Sequence, residues 1–196
     1  VERIEKDKPS NLRSPRQRVD LIIITHEDFE NQAMQLRSLH ENWLEERLET
    51  EVVLIGDIFD EFAAGLLDPT AIRDFLRYAY ENWGQPRFVL LFGDGDYDYK
   101  NLEATDQNWI PPYQTTEKDE EYNRTTDDWF VYVAGDDQMM DMAVGRIPVR
   151  TPEEAQNVVD KLIKYATEPS FGVWKNTLTM VADDELVARG EGNETI

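Results

Sequence analysis

Three aspartates at alternate positions, Asp94, Asp96 and Asp98, follow five apolar residues in the stretch "FVLLFGDGDYDYKN", Phe88 to Asn101. Carboxylates so spaced occupy the first three oxygen-ligand positions of a calcium loop, and with loop carbonyls they suit a hard cation. The turn glycine of such a loop is replaced by Tyr99, and the closing position, where a bidentate glutamate belongs, holds Thr105. Two readings stand: a non-helical Ca2+ site with Asp94, Asp96 and Asp98 as ligands, or a solvated loop whose glycines permit a tight exit from a strand. A phosphate cradle is excluded on chemistry. Gly93 and Gly95 are present, but Asp98 stands where a dinucleotide loop needs its third glycine, and acids repel a pyrophosphate. An aspartyl-phosphate enzyme would also set Asp-x-Asp after a buried strand, yet its threonine and lysine elements are missing, and Thr25-His26 replaces the acidic pair of a receiver domain.

Other reactive side chains are few. His26 and His40 are the only histidines; His26 at a strand exit has the position of a general base, with no serine in triad-like context, and His40 falls mid-helix. The chain has no cysteine, so it contains no thiol nucleophile, disulfide or zinc–thiolate site. Tyr97, Tyr99, Trp109, Tyr113 and Tyr122 interleave one long polar segment. They read as packing of that segment over a sheet, or as a peptide or sugar platform.

The background of these groups is acidic. Asp and Glu number 41 against 20 Lys and Arg, a formal net charge of −21 spread along the chain. That field repels nucleic acid and anionic lipid and favours solubility, cation binding or life in high salt. The 196 residues suit one α/β domain, or one domain with a tail. No run reaches the ~20 apolar residues of a membrane span. The start, "VERIEKDKPSNLRSPRQR", lacks the apolar core of a signal peptide, and the closing "LVARGEGNETI" reads as a piece of a longer chain.

Alternating elements must position the chemistry. "VDLIIIT" (19–25), "EVVLI" (51–55) and "RFVLLF" (87–92) read as strands buried on both faces. Ala33, Leu36, Leu39, Trp43, Leu44 and Leu48 recur at helical spacing and predict a helix to about residue 49. "DPTAIRDFLRYAYENWG" predicts a helix with Asp68 as N-cap and Pro69 at its first position. "TPEEAQNVVDKLIKYA" predicts another, with Thr151 as N-cap and Glu154 completing a capping box. Two strand-like runs around Gly135-Asp136-Asp137 predict a hairpin, and Leu178 to Ala182 a further strand. The expected fold is α/β, a parallel sheet with helices on both faces plus an antiparallel β-hairpin. Ligands of such sheets bind beyond the carboxyl ends of the strands. There Thr25-His26, Asp57, Gly93–Asp96 and Asp183–Glu185 form an acidic rim.

Several blocks in consistent order, "DPTAIRDFLRYAYENW", "FVLLFGDGDYDYKN", "IPPYQT", "DDWF", "VGRIPVRTPEEAQNVVDKLIKY" and "PSFGVWKNTLTMVADD", resemble the gingipain-type cysteine peptidases of family C25. The nearer likeness is to the branch that includes the sortase of the type IX secretion system. The resemblance implies a caspase-like, flavodoxin-like catalytic module of two α/β subdomains, with this chain as the first: 1–18 a linker or tail, 19–185 the subdomain, 186–196 the start of the connection. The His-Gly block and the nucleophilic cysteine would belong to the second, and neither His26 nor His40 matches the catalytic histidine. The resemblance places at Glu185 the acid that supports that histidine, with Asp183 or Asp184 as substitutes. It also implies possible Ca2+, protein or peptide substrates, the C-terminal catalytic subdomain as partner, and a secreted or surface location. The chain alone is expected to be inactive. The alternative is a noncatalytic acidic module that binds calcium or a partner protein. No nucleic-acid partner and no transmembrane segment are expected.

Overall fold

The structure is a computed structural model and describes residues 10–42, 44–99, 107–115, 124–168 and 172–180. Strand β1 (Leu21–Thr25) leads through a 3-10 turn at Glu27–Phe29 into helix α1 (Glu30–Asn42) and strand β2 (Thr50–Leu54). Helices α2 (Ile55–Ala63) and α3 (Thr70–Asn82) precede β3 (Phe88–Phe92). Two-residue strands β4 (Tyr113–Gln114) and β5 (Thr125–Thr126) pair antiparallel, and a 3-10 turn at Asp128–Val131 follows. Strand β6 (Ala143–Ile147) and helix α4 (Pro152–Thr167) come next.

The main sheet is wholly parallel in the order β2-β1-β3-β6. Side chains alternate across a strand, so each face of β1 joins a different core. Ile22 and Ile24 pack with Val89, Leu91, Ile58, Ile72 and Phe75 under α2 and α3. Leu21 and Ile23 pack with Phe92, Phe29, Leu36 and Val159 under α1 and α4. The expected parallel sheet with helices on both faces is thus present, and so is an antiparallel pair.

The location of that pair differs from the expectation. It is formed by Tyr113–Gln114 and Thr125–Thr126, not by the runs flanking Gly135. Phe130 and Val131 are buried in a 3-10 turn against the α3 layer instead of forming a strand. The Asp141 carboxylate then accepts the N–H groups of Val133 and Ala134 at 2.9 and 2.8 Å, which holds the intervening loop closed. β6 leaves this loop to pair with β3, where its apolar residues gain a second core face.

Two helices also differ. α1 stops at Asn42, and Leu48 reaches the core from the loop after it, its N–H bonded to the His40 carbonyl at 3.2 Å. Trp43 lies outside the described residues. α2 occupies "IGDIFDEFA", where a strand end and a rim aspartate were expected, so Asp57 sits in a helical first turn. At α3, Asp68 Oδ1 accepts the Thr70 N–H at 2.9 Å, so the capping chemistry holds with the helix beginning one residue later. At α4, Thr151 Oγ1 accepts the Glu154 N–H at 3.1 Å. The Glu154 carboxylate turns back to the Arg150 N–H at 2.8 Å, one residue before the cap.

Residues 10–18, within the segment expected as linker or tail, form a strap against α2 and α3. Leu12 is buried in the core. The Glu61 carboxylate accepts from Ser10 Oγ and from the N–H groups of Leu12 and Arg13. Burial raises the Glu61 pKa, but these bonds and the Arg13 charge outweigh it and hold the carboxyl below its ordinary value.

Candidate functional site

The chain runs from β1 out to β2 and returns to β3 on the other side of β1. The switch point therefore lies between β1 and β3, where open parallel sheets bind their ligands. Thr25 pairs with Phe92 at the last register step, so His26 and Gly93 leave the sheet side by side. The Thr25 hydroxyl donates to the Phe92 carbonyl at 3.0 Å and ties the two exits together.

His26 caps the turn that follows β1. Its Nδ1 accepts the Asp28 N–H at 3.2 Å, which in the neutral ring puts the proton on Nε2. The Asp28 carboxylate is 3.7 Å from the same Nδ1. The imidazole stands edge-on to Trp109 at 4.8 Å, and Trp109 contacts Phe29 at 4.8 Å. His26 thus belongs to an aromatic cluster that seals the sheet end.

The glycines after β3 serve close approach. The Asp94 carbonyl accepts the N–H groups of Trp109 and Ile110 at 3.1 and 2.9 Å, so residues 109–112 cross directly over the strand exit. A Cβ at Gly95 would stand 2.2 Å from the Ile110 carbonyl oxygen and 2.8 Å from Pro112 Cδ, so only glycine fits.

The Asp94 and Asp96 carboxylates have separate local partners. The Asp94 carboxylate accepts from Arg150 Nε at 2.6 Å. The Asp96 carboxylate caps the Asp98 N–H at 2.9 Å, and the Asp96 N–H bonds Asn108 Oδ1 at 2.6 Å. Asn108 Nδ2 donates in turn to the Asp98 carbonyl at 3.3 Å. Among the described residues, no group of three or more His, Cys, Asp or Glu side chains gathers as metal ligands do. Glu185, Asp183 and Asp184 lie outside the described residues.

Arg146 of β6 is the group the sequence did not reveal. Its guanidinium holds Asp127 through two bonds of 2.8 and 2.7 Å and donates to the carbonyls of Gly93 and Ile110 at 2.9 and 2.8 Å. Its side chain is 14% exposed and that of Asp127 22%, so the pair is largely out of water. One residue thereby joins the β3 exit, the crossing segment and the turn before Asp128. The bidentate fork suits carboxylate geometry in a way lysine cannot reproduce. "DDWF" and "VGRIPV" were visible as blocks, but nothing in either names the other as partner.

The rim can orient a ligand through the His26 Nε2–H, the Asp94–Arg150 pair and the Arg146-braced backbone. It contains no thiol, and the chain has none. No helix among the described residues is long and apolar enough to cross a membrane. No curated protein matches the chain. A solved structure, that of dimeric latent PorU from Porphyromonas gingivalis, superposes with a TM-score of 0.67 at 28% identity. The match covers 82% of this chain and 17% of that one, so the chain spans about a sixth of its relative. The family model of peptidase family C25 matches residues 14–195, a span that contains the sheet, the Arg146 brace and α4. On that match the chain belongs to peptidase family C25, a family of cysteine peptidases.

Proposed function

We propose that this chain is the first α/β subdomain of a gingipain-like cysteine endopeptidase, of the branch that includes the type IX secretion sortase, and that it is inactive alone. The observation that carries the reading is a C25 match over residues 14–195 in a chain without cysteine. Nucleophile and base would then come from a second subdomain: histidine takes the thiol proton, the thiolate attacks a peptide carbonyl, and the C–N bond breaks as the proton passes from histidine to the leaving amine, which leaves an acyl-enzyme. Glu185 would orient that histidine and stabilise its charged form, with Asp183 or Asp184 as substitutes. Protein or peptide substrates and a secreted or surface location follow from the same reading.

An apolar stretch supports a docked neighbour. Val173, Leu178 and Met180 are 84%, 82% and 77% exposed, and Trp174 and Tyr165 stand half out of the surface beside them. The described part of the expected 178–182 strand has no regular structure, and its last two residues lie outside the described set. Apolar surface of this kind marks an interface, and its partner here is the second subdomain.

Ca2+ at Asp94, Asp96 and Asp98 belongs to the same proposal, with the cation competing against Arg150 for the Asp94 carboxylate.

The test is the coding sequence beyond Ile196. A His-Gly pair and a later cysteine within about 100–150 residues, the usual span of a domain, are expected. Peptide hydrolysis by the longer protein should vanish when that cysteine becomes alanine. A continuation with neither residue overturns the reading and leaves an acidic partner-binding module.

A further inference from the structure

A cavity of about 710 Å3 opens where the β4–β5 pair meets α3 and the Asp128–Val131 turn, with Arg73, Tyr113, Arg124, Thr125, Asp128 and Trp129 among its lining. That volume lies in the range of ligand pockets. Tyr113, one of the aromatic residues of the long segment, lies flat on Trp129 at 3.9 Å and 10°. The Arg73 guanidinium sits 4.6 Å from the centre of the same indole and donates twice to the Tyr132 carbonyl, at 3.0 and 2.7 Å. Tyr113 thus covers one face of Trp129, and Arg73 ties the same indole to the Tyr132 carbonyl.

What the wall presents is a strand edge and a cation. The Thr115 N–H bonds the Arg124 carbonyl at 2.9 Å, so Gln114 and Thr125, one step along the ladder, fall in the alternate class of pair. Residues of that class point their N–H and C=O groups away from the partner strand. Thr125 therefore presents both groups on the outer edge of β5, which has no strand partner among the described residues. Arg124 is exposed, and its guanidinium has no hydrogen-bond or ion-pair partner among the described residues.

We propose that this cavity binds an extended peptide segment that adds to the Thr125 edge and sets one acidic side chain against Arg124. Strand addition supplies affinity through main-chain hydrogen bonds, and the side-chain contact supplies selection. Asp128 and Asp137 also line the cavity, which disfavours a polyanion and limits the acidic contact to one side chain at Arg124, whose guanidinium has no partner among the described residues. Binding requires none of the cysteine chemistry and is measured without turnover, so its failure leaves the peptidase reading untouched.

The probes are pentapeptides blocked at both ends with a central Glu or Gln, titrated into this chain and followed by calorimetry and tryptophan fluorescence. The Glu peptide should bind about tenfold tighter than the Gln peptide, the size of one charge-assisted contact. Arg124→Gln should erase that ratio while leaving the melting temperature unchanged. N-methylation of the peptide backbone beside the central residue should weaken both peptides about tenfold. Equal binding of the two peptides, a preference that survives Arg124→Gln, indifference to N-methylation, or no binding at millimolar concentration would each overturn the proposal.

Discussion

Arg146→Met tests whether one guanidinium braces the switch-point rim. The substitution keeps most of the side-chain volume and removes four hydrogen bonds, two to the Asp127 carboxylate and one each to Gly93 and Ile110. Contacts to a charged group contribute about 1.5–3 kcal/mol and ordinary ones about 1 kcal/mol, while a largely dry Asp127 is left without its partner. Partial exposure of both side chains lets water recover some of that, so the expected loss is about 3 kcal/mol. For a chain of this size that lowers Tm by about 6–12 °C. Urea unfolding should show the same loss at unchanged m. Arg146→Lys, which keeps the charge without the fork, should lose about half as much. Hydrogen exchange at the Trp109 and Ile110 amides should accelerate in both variants, because the crossing segment loses its anchor. A loss below about 1 kcal/mol with unchanged exchange at those amides would refute the brace.

Gly95→Ala should cost about 1–3 kcal/mol through collision with the Ile110 carbonyl. Gly145→Ala, where nothing lies within 4 Å of the added Cβ, should be neutral or slightly stabilising in the same thermal melts. Burial lowers the His40 pKa, and His40 Nδ1 is buried without a hydrogen-bond partner among the described residues, so folding favours the neutral ring. That contribution is whole above the ordinary value of 6.5 and is lost as the pH falls toward the folded value, by at most about 1.4 kcal/mol per pH unit. Urea titrations from pH 7.5 to 5 should show a shallower acid loss in His40→Gln than in wild type, and equal slopes would count against it. In the longer enzyme Glu185→Gln should lower kcat and leave the melt unchanged; wild-type turnover would remove it from the site. Millimolar calcium should raise the Tm and a chelator reverse it, with a larger rise in Arg150→Gln, where Asp94 is released; identical melts would sink the calcium site.

The strands were legible because β-branched runs buried on both faces look alike in any parallel sheet. α3 and α4 were legible because their caps are local chemistry, satisfied by Asp68 and Thr151 within a few residues. α2 was not, although Ile55, Ile58, Phe59 and Phe62 carry helical spacing, because Ile55 also completes the apolar run of β2. The 128–131 run failed for the opposite reason. Its apolar residues satisfy a strand pattern, and only packing against α3 selects a 3-10 turn. The glycines of "GDGDYDYKN" were read rightly as permitting a tight exit. What they admit, a segment from Trp109 to Pro112, is remote in sequence and leaves no local trace. Arg146 and Asp127 are 19 residues apart, and pairing at that distance is set by topology.

The strap at residues 10–18 redraws the edge of the folded unit. A shortened protein starting at Val19, where the first apolar run begins, would take Leu12 out of the core and strip the Glu61 carboxylate of every donor from Ser10, Leu12 and Arg13. It would also remove Arg13, Arg16 and Arg18, which lie over Phe62 and Trp83 and beside Glu51 and Asp20. With them Glu51, Asp20 and Glu61 would lose these cationic partners. A unit to express, label or fuse therefore has to include residues 10–18, whose ion pairs weaken as salt rises.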